Sequence, residues 1–63
     1  MWQVIHIAHS KKEADRIGKH LQKQGFLVKV APVSREGRDG YQILVPEFEA
    51  EDVHQVLYEE FSL

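Results

Sequence analysis

The segment SKKEADRIGKHLQKQG, residues 10–25, decides the fold because it carries both a start signal and a stop signal for a helix. Ser10 precedes Glu13 by three residues, a spacing at which the two side chains form a capping box. Gly25 supplies the left-handed residue that ends many helices. Small and apolar residues recur between these signals at helical spacing: Ala14, Ile17, Gly18 and Leu21. The segment therefore predicts an amphipathic helix with one buried face.

Three further segments have the composition of β-strands. The first covers residues 2–8 and alternates two apolar sets. These sets are Ile5 with Ile7, and Trp2 with Val4 and His6. The second segment covers residues 26–33, and Pro32 near its end predicts an edge strand because proline cannot donate a ladder hydrogen bond. The third covers residues 41–45.

A polar loop and a second helix complete the chain. Residues 34–40 contain two glycines and join the second and third strands, which predicts a hairpin. After Pro46 the chain predicts a helix that starts near Glu49, with Phe48 and Val53 at the spacing of a hydrophobic staple. The apolar face of this helix is Ala50, Val53, Val56, Leu57 and Phe61. Acidic residues at its C-terminal end oppose the helix dipole, so we expect the last turn to fray.

The element order β-α-β-β-α predicts an α+β fold in a single domain, residues 1–63. A helical crossover leaves the first two strands parallel, whereas a hairpin makes the second and third antiparallel. The third strand then inserts between the others, which gives sheet order 1-3-2 with both helices on one face, a ferredoxin-like fold without its last strand. The other face is a predicted interface made of Trp2, Val4, His6, Leu27 and Leu44. The alternative is that Trp2 folds over the sheet and leaves a patch too small to matter.

The length and composition of the chain limit the size of its core and indicate what kind of partner it suits. A chain of 63 residues without cysteine has a thin core and no disulfide, so a homodimer is the expected source of added stability. All eight Lys and Arg lie in residues 1–40, and six of the ten acids lie in residues 41–63. This polarity suits a second copy or a charged partner, or it describes two solvated helix faces. No membrane span and no basic leader are visible, so we expect a cytoplasmic protein.

Several of these residues together resemble a known family. They are His9 to Ala14 with Ile17 and Leu21, Gly25-Phe26 at the start of a strand, and Leu44 to Glu47 ahead of an acidic helix. The pattern resembles small bacterial domains classed as signal-transducing proteins, which share their fold with the PII nitrogen-regulatory proteins. The resemblance implies a bacterial regulatory module. PII proteins bind ATP and 2-oxoglutarate with a long loop and a fourth strand, neither of which this sequence predicts, so no nucleotide site carries over to any residue here.

Two groups of residues are candidates for binding an anion. Lys11 and Lys12 stand beside the free N–H groups of a helix start, next to Ser10, and together they would suit a phosphate or carboxylate. Arg35 and Arg38 lie in the hairpin loop, where they would grip an anion or an acidic helix. The plainer interpretation is an ordinary helix cap with solvated lysines and an ordinary polar turn.

Other chemistries have weaker support. The histidines His6, His9, His20 and His54 lack the spacing of a metal site, so we expect no metal and no other cofactor. No trio of nucleophile, base and orienting group is visible, so no catalytic residue and no enzyme are predicted. Trp2 beside a basic helix would suit single-stranded RNA, but the usual aromatic signatures are missing and the net charge is −2. The sequence predicts a small interaction or regulatory module, with sensing of a small anion or nucleotide as the alternative.

Overall fold

The elements in the computed structural model, which describes residues 1–63, follow the order β-α-β-β-α. The strands are β1 (Trp2–Ala8), β2 (Lys29–Pro32) and β3 (Tyr41–Pro46). The helices are α1 (Lys11–Lys23) and α2 (Ala50–Phe61), and a 3-10 turn at Glu47–Glu49 precedes the second helix. The predicted α+β class is confirmed.

Helix α1 begins and ends where the sequence places its signals. The Ser10 hydroxyl accepts the backbone N–H of Glu13 at 3.1 Å. The Glu13 carboxylate accepts the N–H of His9 at 3.3 Å, one residue before the position that a standard capping box uses. At the other end Gly25 follows the helix with φ of 96°, a left-handed conformation that suits glycine. The helix is therefore fixed at both ends by local chemistry.

The three strands form one antiparallel sheet in the order β1-β3-β2. Strand β3 lies in the centre and pairs antiparallel with both neighbours, so β1 and β2 run parallel to each other at the two edges. This is the topology that the helical crossover and the hairpin predict. Both the strand order and the edge position of β2 are confirmed.

The core lies between one sheet face and the two helices. Its buried side chains are Ile5, Ala8, Ala14, Ile17, Leu21, Ile43, Val45, Ala50, Val53 and Leu57. A second layer of half-buried side chains packs against them: Phe26, Val28, Val30, Tyr41, Val56 and Phe61. Because residues of both helices join the strand residues in one cluster, both helices cover the same sheet face. The opposite face has no helix on it.

Strand β2 is shorter than predicted, and Pro46 gives the reason. The register pairs Lys29 with Leu44, so Leu27 would be the next residue of β2 to face Pro46. Pro46 has no N–H to donate to the ladder. The N–H of Leu27 instead donates to a carboxylate oxygen of Glu49 at 3.2 Å. Residues 26–28 therefore lie outside the strand, although the side chains of Phe26 and Val28 still pack on the core.

Helix α2 differs from the prediction at both of its ends. Phe48 is 82% exposed, so the predicted hydrophobic staple with Val53 is absent. The last turn does not fray: the helix extends to Phe61, and Ser62 adopts a left-handed conformation with φ of 58°. The N–H of Leu63 then donates to the carbonyl of Leu57 at 3.0 Å, which closes the C-terminal turn.

Candidate functional site

The sheet face opposite the helices carries an uncovered apolar strip. Val4 pairs with Leu44, and Leu44 pairs with Lys29 on its other side, so these three side chains share a face. We call this surface the outer face and define it by Trp2, Val4, Ile7, Lys29 and Leu44. Trp2, Val4 and Ile7 are 43%, 41% and 49% exposed. The outer face is therefore accessible to a partner.

A β-bulge in β1 decides which side chains reach the outer face. The register between β1 and β3 shifts between Val4 and His6. His6 pairs with Ile43, and Ile5 is the extra residue of the bulge. The buried Ile5 thus enters the core without a direct partner on β3.

The bulge reverses the alternation in the second half of β1. Ile7 pairs with Gln42 and lies on the outer face, whereas Ala8 is fully buried. The sequence predicts His6 in the same set as Trp2 and Val4, but the structure places Ile7 there and leaves His6 half-buried. A one-residue insertion exchanges the two faces of a strand, because side chains alternate with a period of two.

One cation and one further apolar side chain border this strip. The Nζ atom of Lys29 lies 5.0 Å from the centroid of the Trp2 ring, a cation–π arrangement. Leu27, which belongs to the predicted interface, precedes β2 and is 61% exposed. Trp2, Val4 and Leu27 are thus exposed as an interface requires, and Leu44 is half-buried between its two neighbours.

The predicted anion site at the start of α1 contains an acidic group. Ser10 uses its hydroxyl to cap the helix, and the Glu13 carboxylate lies against the N–H of His9. Lys11 and Lys12 are exposed. A bound anion at this helix start would meet the negative charge of Glu13, which already takes the favourable position at the positive end of the dipole. The anion site here stays a prediction, and Glu13 weakens the case for it.

The two arginines of the hairpin loop are also exposed. The Nε atom of Arg38 lies 2.7 Å from a carboxylate oxygen of Glu36, in an exposed ion pair within the loop. Arg35 forms no ion pair. The loop ends at Gly40 beside Ala8, so the loop and the start of α1 lie at the same end of the sheet. No hydrogen bond joins either arginine to α1, and the two predicted groups do not form one site.

A third surface, which the sequence analysis does not single out, lies between α1 and the last turn of α2. It is a cavity of about 320 Å³, which we call the basic groove, lined by Arg16, Lys19, His20, Lys23 and Phe61. The sequence does contain a signal for it. Basic residues recur at positions 12, 16, 19 and 23, so they follow one face of α1 over three turns.

Contacts between the two helices order the walls of the basic groove. The Arg16 guanidinium lies 5.3 Å from the centroid of the Phe61 ring, and the His20 ring meets that ring edge-on at 5.1 Å. His20 Nε2 lies 2.9 Å from one carboxylate oxygen of Glu60, and the Gln24 amide donates to the other at 2.7 Å. The pKa of Glu60 is lowered, chiefly by the Gln24 hydrogen bond. Desolvation, the next largest effect, raises this pKa, and the hydrogen bond and charge of His20 lower it further.

The structure brings no metal-binding set together. No group of three or more His, Asp or Glu side chains is positioned to hold a metal ion. The four histidines lie on different elements, and His20 is hydrogen-bonded to a side chain of the other helix. Neither helix combines the length and the apolar character that crossing a bilayer requires.

No family model, no curated protein and no solved structure matches this chain. The resemblance to bacterial signal-transducing domains therefore stays a prediction.

Proposed function

We propose that this chain is a small bacterial interaction module that forms a homodimer through its outer face. The observation that supports this proposal is the apolar strip of Trp2, Val4 and Ile7 beside Leu44, on a sheet face that neither helix covers. Exposed apolar patches bordered by polar groups commonly mark association sites. The resemblance in the sequence implies a regulatory role, and we place that role in the cytoplasm and without catalysis as part of the proposal.

The chain exposes slightly more surface than a compact monomer of its mass, and its outer face is small. This surface is 4542 Å², whereas the scaling of surface with mass gives about 4,200 Å² for a compact monomer of 7.3 kDa. The surplus is roughly 300 Å². The outer face is two strand spacings wide, about 10 Å, and the seven residues of β1 make it about 23 Å long. Its area is therefore on the order of 230 Å².

The two edges of the sheet are poorer association sites than the outer face. The edge at β2 contains Pro32, which cannot donate a hydrogen bond to a new strand. The edge at β1 contains the bulge at Ile5, which interrupts regular pairing. Two outer faces packed about 10 Å apart need no new ladder hydrogen bonds. In that arrangement the flexible stem of Lys29 lets its ammonium group reach the solvated rim.

A second copy fits this face better than a charged partner does. Of the five residues that define the outer face, only Lys29 is charged, so self-packing brings apolar surface onto apolar surface. The area is small: two copies would bury roughly 500 Å² in total, below the range of stable complexes. We therefore expect a weak dimer with a Kd of roughly tens to hundreds of micromolar.

Sedimentation velocity from about 10 µM to 1 mM protein tests the proposal across the Kd range given above. Trp2 is the only tryptophan, so its emission reports on the outer face, and we expect a blue shift that follows the dimer fraction. The variant Val4→Lys places a charge in the centre of the strip and is expected to remain monomeric. Tyr58→Lys is the matched control, because Tyr58 is 75% exposed on α2, away from the sheet.

Several outcomes would contradict the homodimer. A wild-type chain that is monomeric at 1 mM with red-shifted Trp2 emission removes it, and so does a dimer that Val4→Lys leaves intact. If single-stranded oligonucleotides quench Trp2 and the quenching weakens with salt, the outer face instead binds RNA through the stacked Trp2 and Lys29 pair. Circular dichroism of each variant shows whether it is folded before its mass is interpreted.

A further inference from the structure

We propose that the basic groove binds a phosphate chain, that is, a ligand with two or more linked phosphate groups. The groove lies on the helix side of the molecule and shares no residue with the outer face, so this proposal does not depend on the homodimer. Three cationic side chains, Arg16, Lys19 and Lys23, line a cavity of about 320 Å³. Arg side chains bind phosphate bidentately, and Lys side chains bind it as point charges.

The cations of the groove have no acidic partners. The ion pairs of the chain are His20 with Glu60 and Arg38 with Glu36, so Arg16, Lys19 and Lys23 are unpaired. Arg16 is followed by Lys19 at i+3, and Lys19 by Lys23 at i+4, spacings at which like charges on a helix repel each other. An anion between them removes that repulsion. Asp15, four residues before Lys19, offsets part of this repulsion, and a polyanionic ligand relieves the remainder.

Two of the lining groups are held in position before any ligand arrives. The Arg16 guanidinium lies over the Phe61 ring, and His20 is fixed between that ring and Glu60. A side chain that is already ordered loses less conformational entropy on binding. The groove thus combines ordered donors on one side with the flexible ammonium groups of Lys19 and Lys23.

The dimensions of the array favour linked phosphates over a single ion. Arg16 and Lys23 are seven residues apart, about 10 Å along the helix axis. A single phosphate neutralises only one end of this array, whereas a phosphate chain places charges in series. The lining is also almost entirely polar, with Phe61 as its only apolar member, which disfavours an apolar ligand.

Two acidic groups oppose the ligand. The Glu60 carboxylate lies 2.9 Å from His20 Nε2 at the end of α2, and Asp15 stands four residues before Lys19 on α1. Removal of the Glu60 charge lowers the repulsion of an incoming phosphate. The variant Glu60→Gln is therefore expected to bind a phosphate chain about two- to threefold more tightly, since one exposed charge contributes little in water.

Isothermal titration calorimetry at fixed ionic strength tests the proposal, with orthophosphate, pyrophosphate and tripolyphosphate as probes. We expect affinity to rise along that series. The groove variant, Arg16→Gln with Lys19→Gln and Lys23→Gln, should bind tripolyphosphate at least tenfold more weakly. The matched control replaces Lys11, Arg35 and Arg38 by Gln, which makes the same change in net charge outside the groove and should change affinity less than twofold.

The controls separate a specific groove from general charge attraction. Equal losses in the two triple variants overturn the proposal, as does equal affinity for orthophosphate and tripolyphosphate. A loss confined to the control variant would overturn the groove and place the site at the helix start and loop.

Comparison of tripolyphosphate with a nucleoside triphosphate then distinguishes the two sources of such a ligand. Equal affinity supports recognition of the phosphate chain alone, and tighter binding of the nucleotide supports additional contacts to the nucleoside. Measurements repeated in Val4→Lys keep the result independent of dimer formation.

Discussion

Gly40 and Gly25 provide a matched test of how closely the hairpin loop approaches β1. Both have φ of 96°, so alanine at either position takes a left-handed conformation that costs about 1–2 kcal/mol. At Gly25 an added Cβ would meet no atom within 4 Å. At Gly40 it would lie 2.6 Å from the carbonyl oxygen of Ala8 and 3.2 Å from a methyl group of Ile7. The backbone conformation is shared, and only the steric contact differs.

The contact at Gly40 adds a second cost to the substitution. A Cβ at 2.6 Å from a backbone oxygen forces the loop or β1 to move, and overpacking of this kind costs about 1–3 kcal/mol. We therefore expect Gly25→Ala to lower the free energy of unfolding by about 1–2 kcal/mol and Gly40→Ala by about 2–5 kcal/mol. A chain of 63 residues has a total stability of about 3–9 kcal/mol. The Gly40 variant thus comes close to unfolding at room temperature.

Thermal and urea unfolding followed by Trp2 fluorescence and circular dichroism measure this difference. For a domain of this size each 1 kcal/mol corresponds to about 4–8 °C in Tm. Gly40→Ala should lose about one and a half to four times as many degrees as Gly25→Ala. Equal losses would refute the reasoning, because they would show that the loop does not press against the Ala8 carbonyl and that left-handed strain alone explains both variants.

Two further substitutions test α1 and its contact with α2: one is expected to raise stability, and the other to make stability less dependent on pH. Gly18→Ala should raise the free energy of unfolding by about 0.5–1 kcal/mol, because alanine is the better helix former and the new Cβ would lie at an ordinary 3.4 Å from a methyl group of Val30; a lower Tm would contradict this. The lowered pKa of Glu60 predicts a stability contribution that is complete above pH 4.5, its ordinary value, and is lost as the pH falls through the lowered pKa. As the pH is lowered from about 6 to about 2, the Tm should therefore fall less steeply for Glu60→Gln than for the wild type. Parallel profiles would show that Glu60 does not contribute this stability.

The elements whose signals are local could be predicted from the sequence. Ser10, Glu13 and Gly25 act on their own immediate backbone, so the bounds of α1 follow from them without knowledge of the rest of the fold. The strand order follows from two connections, a helical crossover and a short hairpin, each of which has a restricted geometry. The fold was therefore accessible to reasoning from a single sequence.

Features that depend on pairing between distant segments were not predictable in the same way. The bulge at Ile5 is a property of how β1 aligns with β3, and simple alternation assigned Ile7 to the wrong face as a result. The early end of β2 depends on Pro46, a residue of the partner strand. Pro46 is visible in the sequence, but its effect on β2 appears only when the register is known.

The basic groove shows the same limit at a candidate site. Its cations are visible as a helical repeat on α1, yet the groove exists because Phe61 and Glu60, about forty residues later in the chain, form the second wall. The anion site predicted at Ser10 relied on local signals alone and did not account for Glu13 as an acceptor in the cap. Local signals thus identified where positive charge lies, but only the packing of α2 on α1 distinguishes a lined groove from a solvated face.

The positions of the outer face and the basic groove determine how the two proposals relate. The outer face lies on the side of the sheet that the helices leave uncovered, and the basic groove lies between the helices on the other side. A dimer formed through the outer face leaves both grooves exposed, pointing away from each other. A ligand shifts an association equilibrium only when it binds the monomer and the dimer with different affinities. The two surfaces share no residue and make no contact, so nothing gives the groove a different affinity in the two states. The binding free energies of the two surfaces would then add: one copy binds another through the outer face, and each copy binds an anion in its groove independently.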